Sequence, residues 1–382
     1  MRRYLLLLLL PLLLAAVAPT AVDHFRAVSL LLRIENPNDH SGLARYHTYA
    51  VSESPRALAT SHGEVRARLY RPVGASHPSA MVVAHGVHHL GVDEPRLVAF
   101  SRALAASGIQ VFTPELPDLA DYHVRHDSVD VIGEAAQEFS RQVGFRVGVL
   151  GLSFAGGEAL LAAADQHYAD SIAFVVSIGA HDDMQRVAEF FVNGRIARPD
   201  GSVVTLRPHE YGPLVLMYSH LDEFFPRQDL PSATEAMRLL LWEEVDSSKT
   251  AAKKLSLPSQ EMMGHFYEHD SSIVATQLRT AIAKHAGEMA EVSPHAKLGS
   301  LHVPVLLLHG AGDDVIPATE MLWLEKDIPR DYLRSALATP LLTHVSIGKE
   351  PPLREKYALI NFMAELMELA DAARSQRLGQ HE

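Results

Sequence analysis

Short apolar runs alternate with amphipathic stretches from about residue 64 to the end of the chain. Apolar runs bounded by turn residues predict buried strands, and apolar residues at helical spacing predict the helices between them. This alternation is typical of an α/β fold with a mostly parallel sheet flanked by helices. The predicted strands lie at residues 65–70, 80–84, 109–112, 147–150, 172–178, 303–308 and 332–337.

The alternation stops between residues 181 and 295, where the pattern is mainly helical. Ser232 and Glu235 have the spacing of a capping box and predict a helix start before an apolar run at 239–242. We therefore expect one α/β core, residues 64–180 and 296–375, interrupted by a helical insertion over 181–295. Residues 23–63 show less regular patterning and are predicted to be a lead-in segment.

Residues 1–22 have the pattern of an export signal. Arg2 and Arg3 precede eighteen residues without a charge, 5–22. The small residues Ala16 and Ala18 fit a cleavage site, but Pro19 should hinder cutting. An uncleaved membrane anchor formed by residues 4–22 stays open as the alternative, since about 18 apolar residues can span a bilayer. Both alternatives predict an exported protein, periplasmic or extracellular, because the basic end stays in the cytoplasm.

Composition excludes several classes of protein. A hydrophobic share of 47% with 21% charged residues is that of a globular chain. The formal charge of −12, without a basic stripe, argues against a nucleic-acid partner. The chain has no cysteine, which excludes disulfides, thiolate metal sites and a cysteine nucleophile. Its 22 histidines make a search for imidazole metal sites necessary.

Ser153 is the strongest candidate for catalysis. It lies between a predicted strand and a predicted helix, with Gly151 before it and the small residues Ala155, Gly156 and Gly157 after it. A sharp strand-to-helix turn needs small neighbours because the two backbones pass close together, and it exposes the hydroxyl beside free N–H groups of the helix. A hydroxyl is a weak nucleophile, so a base and an orienting acid are required.

An acid and a base follow in the expected order. Asp313 comes just after a buried strand, in a segment that runs from Gly310 to Pro317, and His344 lies 31 residues further on. The chain order Ser, Asp, His is that of the α/β-hydrolase triad. Alternative acids are Asp314, next to Asp313, and the pair Asp182 and Asp183, which follows the 172–178 strand.

Over roughly residues 64–372 the sequence resembles the α/β-hydrolase superfamily of serine esterases, lipases and dienelactone hydrolases. The resemblance is carried by the Gly151-x-Ser153 turn, by His85-Gly86 after an early strand, and by the Gly310–Pro317 segment followed by His344. It implies Ser153 as nucleophile, Asp313 as acid and His344 as base. It also implies an oxyanion hole from the backbone N–H groups of Phe154 and Val87, and a helical cap formed by the insertion.

Two features depart from the family pattern. Ala155 stands where the family usually has glycine, and the loop at residues 85–89 lacks a run of three glycines. Two other motifs indicate different chemistry. Gly151, Ser153 and Gly156 resemble a dinucleotide fingerprint whose middle glycine is replaced. Residues 265–269 match the inverted zinc-peptidase motif H-x-x-E-H, with His265 and His269 as ligands and Glu268 as base.

The sequence therefore predicts a serine hydrolase that cleaves a carboxylic ester through an acyl-enzyme. Amide, peptide or thioester cleavage by the same triad is the first alternative, and a catalytically silent binding protein of the same fold is the second. The expected partner is a small acyl substrate. We expect no metal and no organic cofactor in this reaction.

Overall fold

The computed structural model describes residues 21–342 and 352–375, and within them the main sheet has eight strands. The strand order is β1-β2-β4-β3-β5-β6-β9-β10. β2 is antiparallel to both of its neighbours, and the pairs from β4 to β10 are parallel. The strands are β1 Ala50–Thr60, β2 Gly63–Val73, β3 Ser79–Ala84, β4 Ile109–Pro114, β5 Val147–Leu152, β6 Ile172–Ile178, β9 Val305–Gly310 and β10 Leu333–Thr339.

Helices cover both faces of this sheet, so the predicted α/β architecture is confirmed. The core helices are α1, described over residues 21–35, α2 Pro95–Ala106, α3 Pro117–Ala120, α4 Asp127–Val143, α5 Phe154–Ala164, α13 Thr319–Asp327 and α14 Leu353–Ala373. One apolar cluster joins α4 and α5 to the sheet, and a second joins α2 and α14 to it. The central strand β3 is buried along its whole length because both faces are covered.

The segment 23–63 is more regular than the sequence predicts, which is a correction. Helix α1 buries Ala27 and Leu30, and its Arg26 guanidinium lies 2.6 Å from the carboxylate of Asp371 on α14. Strand β1 pairs with β2 from Ala50 opposite Val73 to Thr60 opposite Gly63. The sheet therefore begins before residue 64. β1 lies at the sheet edge with few buried side chains, so its apolar pattern is weak.

The chain between β6 and β9, all of which the structure describes, forms the cap, and it is mainly helical. Its helices are α6 Met184–Asn193, α7 Tyr211–Ser219, α8 Leu230–Leu241, α9 Val245–Ala252, α10 Leu257–Tyr267, α11 Ala275–Lys284 and α12 Ala286–Glu291. A two-stranded hairpin, β7 Arg195–Ala197 with β8 Val203–Thr205, interrupts them.

The predicted capping box at Ser232 is wrong. Helix α8 begins at Leu230, and its N-cap is Asp229. The Asp229 carboxylate instead accepts hydrogen bonds from the hydroxyls of Ser256 and Ser259, and so ties α8 to the start of α10. Pro231 in the first turn fits a helix start at that point.

Two predicted features lie outside the described residues. They are His344 and residues 1–20 of the predicted export signal. Within the described ranges, no helix is long and apolar enough to cross a membrane.

Candidate active site

Ser153 lies in the turn from β5 to α5, with φ 57° and ψ −130°. A positive φ is uncommon for a residue with a side chain and persists only where the surroundings hold it. Here the Ser153 N–H donates to the carbonyl of Ile178 at 2.7 Å, and the Ser153 carbonyl accepts from the N–H of Gly156 at 2.8 Å. These bonds hold the strained turn and place Ser153 at the end of β5, the position that a nucleophile elbow requires.

Close backbone packing explains the small residues around this turn. A Cβ on Gly151 would overlap the carbonyl of Ala155, and one on Gly156 would lie 2.8 Å from the Cβ of Ala180. A Cβ on Gly157 would lie 2.6 Å from the ring of His181. The middle position of the dinucleotide fingerprint, where the backbone must approach the pyrophosphate, carries the side chain of Ser153, so this turn does not fit the fingerprint.

The loop after β3 reaches the same turn. A Cβ on Gly86 would lie 3.1 Å from the Cβ of Ser153. His85 fixes this loop: its Nδ1 lies 2.7 Å from the carbonyl oxygen of Gly86, and its Nε2 accepts from the N–H of Leu116 at 2.9 Å. The second bond makes Nδ1 the protonated nitrogen of a neutral ring, and burial lowers the pKa of His85, which favours that neutral form.

The loop after β3 and the start of α5 carry the two predicted oxyanion donors, the N–H groups of Val87 and Phe154. A trans peptide is planar, so a carbonyl oxygen held at Gly86 directs the N–H of Val87 to the opposite side. Phe154 is the first residue of α5, and the first N–H groups of a helix have no partner within it. The amide of Phe154 therefore borders the Ser153 turn, and Val87 directly follows Gly86, the residue that approaches this turn.

Asp313 lies after β9, and its two carboxylate oxygens have different surroundings. Oδ1 accepts from the N–H groups of Val315 and Ile316, each at 2.9 Å. Oδ2 lies 3.7 Å from the ring of His309 and 3.7 Å from the position of a Cβ on Gly179. Gly179 directly follows Ile178, the residue that binds Ser153. Ser153 and Asp313 thus flank the end of the same strand, β6.

His344 itself lies outside the described residues, and the described residues just before it lie near the end of β9. β10 pairs with β9 up to Thr339 opposite Gly310. Leu342, two residues before His344, packs its carbonyl oxygen 2.6 Å from where a Cβ on Gly310 would lie. Gly310 is three residues before Asp313, so Leu342 lies close to the loop that carries Asp313.

The alternative acids have other partners. Asp182 is fully buried, and its carboxylate lies 2.7 Å from the guanidinium of Arg186. Asp183 caps α6 by accepting from the N–H of Arg186. Glu320 of α13, also fully buried, binds the same guanidinium at 2.5 Å and accepts from both aspartate N–H groups at 2.9 Å. Asp182 and Asp183 therefore have structural roles in this buried ion network. Asp314 meets the cap, where its carbonyl accepts from the N–H of His209.

The H-x-x-E-H motif does not form a zinc site. His265 lies in the last turn of α10, whereas His269 lies beyond the helix end with φ 60°. The ring of His265 is 3.2 Å from the carboxylate of Asp270, and the ring of His269 pairs with Glu210. The helix ends between the two histidines, so they do not share the helix face that the motif requires.

An aromatic stack connects the loop after β3 to the cap, which the sequence did not predict. The ring of His89 lies between the rings of His88 and Trp242, at centroid distances of 4.8 and 4.9 Å. Trp242 is the C-terminal cap residue of α8. Nδ1 of His89 and Nε1 of Trp242 are buried without a hydrogen-bond partner among the described residues. The only sequence signal at Trp242 is its position at the end of an amphipathic helix.

Comparisons with known proteins are informative at the level of the fold. No family model and no curated protein matches the chain. A puromycin hydrolase structure aligns with 90% of this chain and 42% of its own at 13% identity, with a TM-score of 0.50. The chain has the α/β-hydrolase fold.

Two further structures resemble this chain. An esterase from Pyrobaculum calidifontis is 17% identical over 93% of this chain and 92% of its own, with a TM-score of 0.44. An acylaminoacyl peptidase from Pyrococcus horikoshii is 12% identical over 90% of this chain and 45% of its own, with a TM-score of 0.47. The chain thus spans less than half the length of that peptidase and of the puromycin hydrolase.

Proposed function

We propose that this α/β-hydrolase chain is an exported serine hydrolase that cleaves a carboxylic ester of a small acyl substrate. The main support is the strained turn of Ser153, which flanks the end of β6 together with the Asp313 carboxylate; among the described residues, only Oδ1 of that carboxylate accepts backbone N–H groups. A positive φ at a serine between a central strand and a helix is costly, and such strain clusters at functional sites.

The proposed mechanism uses a nucleophile, a base, an orienting acid and two oxyanion donors. His344 takes the proton of Ser153 as its oxygen attacks the acyl carbonyl. Oδ2 of Asp313 accepts from the protonated nitrogen of the same imidazole and so holds the reactive tautomer. The N–H groups of Phe154 and Val87 donate to the oxyanion. The alcohol leaves with the proton from His344, and a water molecule activated by His344 then releases the acid from Ser153.

Ester cleavage is the first choice among the reactions that this triad performs. An amide, peptide or thioester needs the same nucleophile, base and oxyanion hole, so these remain the second candidate. No metal ion or organic cofactor takes part in the proposed steps. Export rests on residues 1–22, and mass spectrometry of the protein isolated from its host separates a cleaved signal from an uncleaved anchor.

Labelling with a fluorophosphonate probe tests the nucleophile. The wild-type protein should be labelled, and Ser153→Ala should abolish labelling and lower p-nitrophenyl butyrate turnover by about 10⁶-fold. Ser219→Ala is the matched control, because Ser219 lies in the cap and donates to the carbonyl of Val215. It should label like the wild type. A wild type that is not labelled would instead support the silent binding protein, and labelling without ester turnover would support amide or thioester cleavage.

A further inference from the structure

Two histidines and a glutamate meet in the cap, far along the chain from the proposed triad. His220 and Glu223 belong to the turn after α7, and His285 lies at the junction of α11 and α12. Each offers one ligand atom, and these three atoms lie within 4.8 Å of one another. Ligands of a tetrahedral zinc ion, at bonds of about 2.0–2.1 Å, lie about 3.3 Å apart. The separations of the three atoms must therefore shrink by up to about 1.5 Å for them to bind a common ion.

A second carboxylate orients the central imidazole. Nε2 of His285 lies 2.6 Å from Oε1 of Glu223, and its Nδ1 lies 2.8 Å from Oε1 of Glu288. Metal-binding histidines almost always donate their other ring N–H to a carboxylate or carbonyl, which fixes the tautomer and increases the basicity of the ligand nitrogen. His285 is placed in this way, with one nitrogen toward Glu223 and the other held by Glu288.

The site also has space and a second imidazole. The rings of His220 and His285 are nearly parallel, with centroids 3.5 Å apart, so one ring must turn before both can bind one ion beside Glu223 in the planes of their rings. A cavity of about 70 Å³ borders His220 and His285 on the side of Glu288. It has room for a water molecule, which occupies about 30 Å³ in the liquid. A zinc ion with three protein ligands needs a fourth ligand of this kind.

We propose that His220, Glu223 and His285 bind one Zn²⁺ ion, with water as the fourth ligand and Glu288 as a positioning residue. Imidazole nitrogen and carboxylate oxygen are ligands that zinc accepts readily. The ion connects the turn after α7 to the junction of α11 and α12, and so fixes one side of the cap. This site is separate from the H-x-x-E-H motif and from the proposed catalytic steps.

A second cluster, Asp182 with His295 and Asp327, is the natural comparison. It has a single imidazole, and its buried carboxylate on Asp182 is already bound by the guanidinium of Arg186. The cap cluster has a cation too, since Nζ of Lys284 lies 2.5 Å from Glu223. The Lys284 side chain is 61% exposed, however, so it can withdraw when an ion binds.

Zinc titration of the full-length protein, stripped with EDTA, tests this site. Isothermal calorimetry should give one zinc per chain in the wild type, and the thermal midpoint should rise with zinc. Cobalt(II) in place of zinc should give the strong visible absorption of a tetrahedral site. Replacement of a ligand, His220→Ala or His285→Ala, should remove both signals, whereas the matched variant His295→Ala should keep them.

Two variants separate a metal site from a network of ion pairs. Glu288→Gln should weaken zinc binding by about 10–100-fold, the usual effect of losing an orienting carboxylate. Lys284→Ala should strengthen zinc binding because it removes the competing cation from Glu223. These two substitutions lie on the surface and keep the test valid even if the histidine variants fail to fold. The proposal is overturned if the wild type binds no zinc, or if it binds zinc as well without His285 as without His295.

Discussion

Glu158 offers a test of the buried electrostatics next to the proposed nucleophile. It lies on α5, five residues after Ser153, and is fully buried. Neither carboxyl oxygen has a hydrogen-bond partner among the described residues. Burial, with a smaller contribution from Asp118, raises the pKa of Glu158 well above its ordinary value. Burial therefore favours the neutral form of Glu158 in the folded protein, whereas the unfolded chain releases its proton near pH 4.3.

The pH dependence follows from this difference. A raised folded-state pKa contributes stability below the unfolded pKa, and this contribution is lost as the pH rises toward the folded value. Each pH unit within that interval costs about 1.4 kcal/mol. Between pH 5 and pH 7 the free energy of unfolding of the wild type should therefore fall relative to that of the variant Glu158→Gln. Glu158→Met also removes the unsatisfied polar group, and should gain a further 1–3 kcal/mol, roughly, at any pH.

Urea unfolding at pH 5, 6 and 7 measures these differences. The free energy of unfolding of Glu158→Gln minus that of the wild type should increase steadily with pH. Glu189→Gln is the control, because it removes a carboxyl from an exposed position on α6, and its difference from the wild type should stay nearly constant. Parallel curves for Glu158→Gln and the wild type would refute the reasoning, since Glu158 would then be ionised in the folded protein.

The remaining predictions concern turnover of p-nitrophenyl esters. Asp313→Asn should lower kcat by about 10⁴-fold by favouring the wrong imidazole tautomer, and Asp314→Asn should have a small effect; the reverse order would make Asp314 the acid. His344→Ala should lower kcat by about 10⁶-fold, as removal of such a base does, and substantial residual turnover would exclude His344. His85→Phe should lower kcat by about 10²–10³-fold with little change in KM, because the Val87 donor loses its fixed direction; a change confined to KM would contradict that role. Trp242→Ala should alter the ratio of kcat/KM for butyrate over acetate esters while fluorophosphonate labelling persists, and an unchanged ratio would show that the stack does not border the acyl site.

Patterning predicted the sheet because its central strands are buried on both faces. The continuous apolar runs of β3, β5, β6 and β9 leave little ambiguity, and the small residues around Ser153 report directly on a close strand–helix contact. β1 escaped prediction for the opposite reason. It is an exposed edge strand that is defined by pairing with β2 rather than by burial.

Contacts between segments that are far apart along the chain could not be predicted from the sequence. Trp242 contacts the loop after β3 only because the cap folds back over the core. No local sequence pattern predicts that contact. His220 and His285 are 65 positions apart, and nothing in their neighbourhoods marks them as a pair. The H-x-x-E-H motif at residues 265–269 is the opposite case, in which a local pattern predicted a site that the structure does not form. Its spacing is correct for one helix face, but α10 ends before His269.

The buried ions around Arg186 have a consequence for exchanging caps between enzymes of this fold. Arg186 belongs to the cap, whereas Glu320 belongs to the core, and Glu320 is fully buried. A transplanted cap that lacks the guanidinium would leave Glu320 as an isolated charge in the interior, at a cost of about 3–5 kcal/mol. The cap is thus not a modular part. A designer who replaces the cap must also replace Glu320 with a neutral residue. In evolution, likewise, a cap that loses Arg186 requires a matching change at Glu320.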